Sequence, residues 1–331
     1  MILKYGKVVQ REMWKSNEHK AKLREHLREV NEKYPGAEDI NYVCPICNGT
    51  STVYFASIYS YVWRACEGCQ SLYVANPPPE FMIDQLYASM AEFVNPSISD
   101  ESRLIFRAMD IAEPKVVFAK DCMEEVGETW LDVGCGACEL ASAARKHGWK
   151  VTAVDPNPDM IAVAKNAFDI DIIPGALDFE LPRQLKETYD VVSIMNVIEH
   201  LRDPVTPFKV ARKLVKEGGY LVLEVPHFPC ITAYLYAVFP ELTSRVVTAP
   251  YHLHLFSVKA LGRLLNDHGF HATGMWMFGH DFSEVTEMLD LLGERGGTFS
   301  LLFHELTNDI QAALDKQMLS ECTMVVARRI G

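Results

Sequence analysis

Short apolar runs and longer helix-spaced ones alternate along the second half of the chain. Trp130–Val133, Val151–Val154, Ile170–Ile173, Asp190–Met195, Tyr220–Val225 and Phe270–Phe278 have the length and apolar content of buried strands. Between most of them, Cys138–His147, Pro158–Ala167, Pro204–Lys216 and Ser257–His268 carry apolar residues at helical spacing. Such alternation predicts a parallel sheet with helices on both faces, beginning near Glu128. Gly218-Gly219 reads as a helix stop before the fifth strand. Ser283–Gln317 reads as mostly helical and Cys322–Arg328 as a last strand.

The first half follows other rules. Leu23, Leu27 and Val30 recur at helical spacing, and Tyr34-Pro35-Gly36 ends that helix. Its lysines and arginines are nearly balanced by glutamates, so it reads as a solvated amphipathic helix packed on the protein or on a second subunit, as in a homodimer. Ser51–Phe55 and Tyr59–Arg64 read as a β-hairpin. Asn76-Pro77-Pro78-Pro79 is a rigid break, and Phe81–Tyr87 and Ile98–Phe118 read as helices of a lid. The expected organisation is a helix over 1–40, a ribbon over 41–76, a lid over 77–127 and a catalytic domain over 128–331.

Cysteine spacing sharpens the second of these. Cys44-x-x-Cys47 and Cys66-x-x-Cys69 are separated by 18 residues and bracket the hairpin. Two knuckles at this spacing predict a tetrahedral four-thiolate zinc site, with an iron centre or redox pairs as lesser readings. Four thiolates fill the coordination sphere, so the metal is structural and supplies folding energy to a segment too short to bury a core.

Bulk properties remove whole classes. A formal charge of −12 disfavours broad nucleic-acid binding. No apolar run reaches the length of a membrane span, and the N-terminus lacks the apolar core of a signal peptide, so a cytoplasmic location is the expectation.

The chemistry gathers at Trp130-Leu131-Asp132-Val133-Gly134-Cys135-Gly136-Ala137-Cys138-Glu139-Leu140. A strand, a glycine turn and a helix start can hold a ligand at the end of a parallel strand. Asp155 ends the next strand, about 20 residues on, where a carboxylate accepts from ribose hydroxyls. Position 139 is Glu, so the turn is D-x-G-x-G and not the dinucleotide fingerprint. An acid just before the glycines suits a ligand with a positive centre and an amine.

In these motifs residues 129 to 278 resemble the class I S-adenosylmethionine-dependent methyltransferases. The resemblance implies a doubly wound, mostly parallel, seven-stranded Rossmann-like α/β sheet whose last strand is antiparallel. It places Asp132, Gly134, Cys135 and Gly136 at the methionine moiety, Asp155 and Pro156 at the ribose, and Leu177 and Asp178 near the adenine. Asn196 and Val197 fall at the methionine end, Tyr87 in a segment that caps the cofactor, and His200 near the transferring methyl.

After the fifth strand, residues 226–256 form an aromatic-rich insertion suited to covering a substrate, and 283–317 are a helical insertion. The cover ends in Tyr251-His252-Leu253-His254-Leu255-Phe256-Ser257, and with the cysteine pairs this resembles deoxysugar C-methyltransferases and related glycan-pathway enzymes. Those enzymes have an acid where Leu253 stands, which leaves O-methylation of a hydroxyl open. His254 is the first candidate for general base and His200 the second, with Tyr251, His252 and His227 in support. The four histidines as a metal site is a competing reading. The expected activity is methyl transfer from S-adenosylmethionine to a small molecule, sugar-like or carrier-linked. The alternatives are an RNA methyltransferase with a zinc-ribbon recognition module and a non-catalytic S-adenosylmethionine binder.

Overall fold

Thr129–Val133 (β5), buried along almost its whole length, is the strand on which the main sheet turns. The computed structural model describes residues 1–6, 17–82, 86, 101–176, 185, 188–243, 245–291 and 294–331. Tyr87, Leu177 and Asp178 lie outside them. The described strands before β5 are β1 (Ile2–Tyr5), β2 (Thr52–Ile58), β3 (Tyr61–Cys66) and β4 (Leu72–Val74). After it come β6 (Lys150–Asp155), β7 (Ile172–Pro174), β8 (Tyr189–Met195), β9 (Val215–Pro226), β10 (His254–Leu255), β11 (Phe270–Phe278) and β12 (Cys322–Arg329).

Among these, eight form one sheet in the order β1-β11-β12-β9-β8-β5-β6-β7. The β5 strand pairs parallel with β6 on one side and β8 on the other. The chain therefore reverses its direction of winding between β5 and β8, which opens a crevice at their carboxyl ends. As expected, β12 runs antiparallel, between β11 and β9. The fold is a Rossmann-like α/β sheet with one more strand than the seven expected, because β1 adds in parallel to β11. Residues 2–5 are thus strand where the sequence suggested the start of a helical segment. Four residues are too few for a periodicity to show, and β1 is held by tertiary contacts: Lys4 Nζ lies 3.5 Å from the Trp276 ring centroid, and Trp276 Nε1 donates to the Gly6 carbonyl at 2.9 Å.

The helices are placed by one buried face each. They are α1 (Asn17–Lys33), α2 (Glu101–Phe106), α3 (Glu113–Asp121), α4 (Glu139–Lys146), α5 (Pro158–Phe168), α6 (Thr206–Leu214), α7 (Ile231–Val238), α8 (Val258–Asp267), α9 (Asp281–Leu291) and α10 (Glu294–Lys316). A π-helical turn, Arg107–Ala112, joins α2 to α3. In α8, Ala260, Leu261, Leu264 and Leu265 form the buried stripe, and the Ser257 hydroxyl caps the start by accepting from Ala260 N–H at 2.9 Å.

Gly218-Gly219 is not the helix stop. The helix α6 ends at Leu214, and the glycines lie inside β9, where its register against β8 slips between Tyr189 and Val191. A Cβ on Gly219 would stand 2.7 Å from the Asp190 carbonyl oxygen, so the close strand approach is what requires glycine there.

A second sheet of four strands has the order β10-β4-β3-β2. The hairpin β2–β3 matches the expectation, but the sheet is completed by β10 from the end of the 226–256 insertion. The cysteine-bearing segment and the segment carrying His254 are therefore hydrogen-bonded into one sheet.

Candidate functional site

The turn after β5 is shaped by backbone that only glycine adopts freely. Gly134 has φ +69° and Gly136 has φ +52°. A Cβ on Gly134 would fall 2.4 Å from Cγ2 of Val197, which packs down from the end of β8. Among the described residues nothing lies within 4 Å of a Cβ built on Gly136, so they leave the turn open on that side. Asp155, at the tip of β6, accepts from Gly136 N–H and from Asn157 N–H, each at 2.8 Å. Burial pushes its carboxyl up, against those two hydrogen bonds. Pro156 follows it at the entry to α5.

Asp132 is buried on β5, and burial, aided by the charges of Glu139 and Asp155, pushes its carboxyl up to about 7. Its Oδ1 accepts from the Ser193 hydroxyl at 2.6 Å, while Oδ2 has no partner among the described residues. A buried acid with one idle oxygen beside an open glycine turn suits a ligand carrying positive charge.

On the other side of the crevice, Asn196 (φ +53°) turns the chain out of β8. Its amide donates to Glu224 Oε1 at 3.0 Å, and Lys115 Nζ reaches Glu224 Oε2 at 2.6 Å. The amide nitrogen of Asn196 is therefore engaged with Glu224, and Val197 meets the glycine turn.

The 3-10 turn Ile198–His200 follows. It brings three of the four expected histidines together. His200 Nδ1 donates to the Tyr251 carbonyl at 2.8 Å, and its ring centroid lies 5.0 Å from that of His252. His252 Nδ1 donates to the Val246 carbonyl at 2.8 Å. His254 Nε2 donates to the Leu201 carbonyl at 2.9 Å, leaving its buried Nδ1 without a partner among the described residues. Tyr251 hydroxyl is 2.6 Å from His26 Nε2, tying α1 to the same segment.

His227 stands apart. Its ring donates to the Ser320 carbonyl at 2.9 Å, at the entry to β12. It braces β9 against β12.

Glu199 was not singled out from the sequence. It is fully buried, and neither carboxylate oxygen has a hydrogen-bond partner among the described residues. Glu199, His200 and His252 each place a potential ligand atom within 4.8 Å of the others. Burial, and then the charge of Glu224, drives the Glu199 carboxyl well above the usual range. The signal lay in the run Asn196-Val197-Ile198-Glu199-His200 beside a strand end, but burial of an acid leaves no trace in the sequence.

Burial also holds His227 and His254 down to about 4. Both stay neutral in the folded protein while the unfolded chain takes up protons near pH 6.5. Their contribution to stability is complete above about pH 6.5 and is lost as pH falls toward 4, on the order of 3 kcal/mol each. Urea midpoints are expected to drop steadily from pH 7 to pH 5, and His227→Gln to flatten that slope. A midpoint independent of pH would contradict the burial of these rings.

The four cysteines of the second sheet also converge. Sγ atoms of Cys44 and Cys69 are 3.7 Å apart and those of Cys47 and Cys66 3.5 Å. Four sulfurs about 2.3 Å from a central zinc would be separated by about 3.8 Å, so the group fits a tetrahedral ion. Both knuckles share one backbone pattern: Asn48 N–H donates to Cys44 carbonyl and Gln70 N–H to Cys66 carbonyl, each at 2.8 Å, with Asn48 and Gln70 at positive φ.

A basic depression of about 770 Å3, lined by Lys209, Arg212, Lys213 and Arg329 among others, lies at the opposite end of the sheet. Arg212 and Arg329 there donate to backbone carbonyls, which marks them as structural.

A family profile described as a methyltransferase domain matches residues 105–273. Among curated proteins, a ubiquinone biosynthesis O-methyltransferase of Coxiella burnetii is 35% identical over 115 residues, 34% of this chain and 49% of that protein. The mitochondrial protein of the same name from Schizosaccharomyces pombe is 33% identical over 131 residues, 38% of this chain and 48% of that protein. The chain spans about half the length of the curated relatives it matches. Similar solved structures include a magnesium protoporphyrin IX methyltransferase from Synechocystis PCC 6803, with 14% identity, a TM-score of 0.46, and coverage of 74% of this chain and 99% of that one. A methyltransferase from Archaeoglobus fulgidus has 18% identity, a TM-score of 0.45 and the same coverage. Among the described residues, no helix is long and apolar enough to cross a membrane.

Proposed function

This chain belongs to the methyltransferase domain family, and on that footing we propose where its donor and acceptor sit. It is an enzyme that transfers methyl groups from S-adenosylmethionine. Asp132, Gly134, Cys135 and Gly136 hold the methionine end, with the buried carboxyl of Asp132 supplying negative charge behind the turn. Asp155, with Pro156, takes the ribose hydroxyls on the lone pairs that Gly136 and Asn157 leave free. Val197, beside Asn196, closes the pocket against Gly134. Leu177 and Asp178 take the adenine side and Tyr87 the capping role, on the resemblance of their motifs alone.

Bound there, the donor supplies an electrophilic methyl on a sulfonium. The acceptor is a small molecule, and the atom methylated is a hydroxyl oxygen. The absence of an acid at Leu253 and the names of the curated relatives both support oxygen over carbon. A sugar or carrier-linked sugar is the first acceptor class, supported by the union of a four-thiolate ribbon with the Tyr-His-x-His segment in one sheet. The second is the acceptor class of ubiquinone biosynthesis, supported by the relatives' names. His254 is the base and the cysteine group holds one structural zinc.

The observation that carries the donor site is Asp155 at the tip of β6, bridging the glycine turn after β5 and the start of α5. Asp155→Ala is expected to weaken S-adenosylhomocysteine binding at least about tenfold by calorimetry; unchanged affinity removes Asp155 from the site. For the acceptor, labelled methyl transfer to nucleotide sugars and to hydroxylated aromatic acceptors separates the two classes. Steeply salt-dependent transfer to RNA would instead favour a nucleic-acid acceptor.

A further inference from the structure

The glycine turn carries a C-x-x-C pair of its own, Cys135-Gly136-Ala137-Cys138. Both cysteines are free and buried, and their Sγ atoms are 3.5 Å apart. A tight turn brings them together: Cys138 N–H donates to the Cys135 carbonyl at 2.9 Å, and Cys138 takes the left-handed conformation (φ 67°) before α4 begins. Neither sulfur belongs to the Cys44–Cys47–Cys66–Cys69 group.

We propose that Cys135 and Cys138 are a reversible oxidation site: peroxide or a small disulfide closes them into a disulfide, and the closed form binds the donor more weakly. The second half rests on the assignment of this turn to the donor.

A disulfide bond is about 2.05 Å long, so closure needs about 1.5 Å of further approach, within reach of side-chain rotation and a small shift of the turn. Two cysteines with two residues between them, held in one turn ahead of α4, have the spacing that lets a dithiol close on itself. The bond would close a small ring through Gly136, whose N–H is held by Asp155 and whose open face is the donor side. Any movement of Gly136 acts on the pocket directly.

The step balances with peroxide as oxidant. One thiol is oxidised to a sulfenic acid as one water forms. The other sulfur then attacks that sulfenic sulfur, the S–S bond forms, the S–O bond breaks, and the departing hydroxide leaves as a second water with the attacking thiol's proton. A small dithiol reverses the reaction by exchange. At rest, contact with Cys138, burial and the charges of Asp132 and Asp155 push the Cys135 thiol up, which holds it in the less reactive thiol form and slows its oxidation.

Full-length protein treated with peroxide, alkylated and digested with trypsin yields one peptide covering residues 121–145, which also contains Cys122. The expected product is two hydrogens lighter and alkylated only at Cys122. Affinity for S-adenosylhomocysteine is expected to fall about tenfold on oxidation, to recover with dithiothreitol, and to become insensitive to peroxide in Cys138→Ser. Three alkylated cysteines after peroxide would overturn the site. A disulfide without a change of affinity, or an equal loss in Cys138→Ser, would overturn its effect on binding. Reduced protein that binds no S-adenosylhomocysteine would instead sink the pocket assignment and with it the affinity half, while the peptide still decides the bond.

Discussion

Removal of the zinc proposed at Cys44, Cys47, Cys66 and Cys69 is expected to unfold the ribbon and to abolish methyl transfer with it. A structural zinc site contributes on the order of 10 kcal/mol at neutral pH, as much as the whole folding stability of a typical domain. The loss would not stay local. Cys44, Cys66 and Cys69 pack in the same buried cluster as Leu131, Val133 and Ile194 of the central strands. The Cys69 carbonyl receives the Ser257 hydroxyl, the Ser71 hydroxyl accepts from Ser257 N–H, and β4 pairs with β10 through Tyr73 and His254. The knuckle thus holds the strand that carries the proposed base. Elemental analysis is expected to give one zinc per chain. A strong chelator is expected to lower the unfolding temperature by more than 10 °C, since each 1 kcal/mol moves a domain of this size by roughly 2–4 °C. Full activity in metal-free protein would show that the four thiols hold the sheet without an ion.

The division between what was legible in the sequence and what was not follows the range of the interactions. The strands β5, β6, β8 and β9 and the helices α5 and α8 announce themselves because each buries a regular stripe. The two knuckles announce themselves because their cysteine pairs recur at fixed short spacing. The turn Asp132–Gly136 and the acid Asp155 are readable for the same reason: one strand end and the next place them. The parts that escaped depend on contacts between distant segments. β1 exists only because β11 offers an edge to pair with. Gly218-Gly219 looks like a helix stop until Asp190 is seen against it. Nothing in the order of residues says that β10 completes the ribbon's sheet, nor that Glu199 loses all its water. The histidines divide on the same line. His252 and His254 are fixed near His200 by β10 and its neighbours, whereas His227, close to both in the chain's logic, faces β12.

His254→Ala is expected to lower the turnover number by about two to four orders of magnitude, the usual worth of a positioned general base, while leaving S-adenosylhomocysteine affinity unchanged. The hydrogen bond from Nε2 to the Leu201 carbonyl fixes the tautomer, so the lone pair sits on Nδ1, the atom with no partner among the described residues. Burial keeps the ring neutral across the physiological range, so Nδ1 is unprotonated there. His200 is the rival: its Nδ1 is committed to the Tyr251 carbonyl, and its Nε2 stands 3.8 Å from Glu199 Oε1. The two can be told apart by what each change disturbs. His200→Ala removes a ring that braces Tyr251 and His252, so its loss should weaken acceptor binding as well as turnover. His254→Gln keeps a donor to Leu201 and should hold the strand in place, yet it cannot take the proton at the Nδ1 position. Turnover lost in His254→Gln with an unchanged melting temperature would locate the base at Nδ1 of His254; turnover preserved there and lost in His200→Gln would move it one turn back along the crevice.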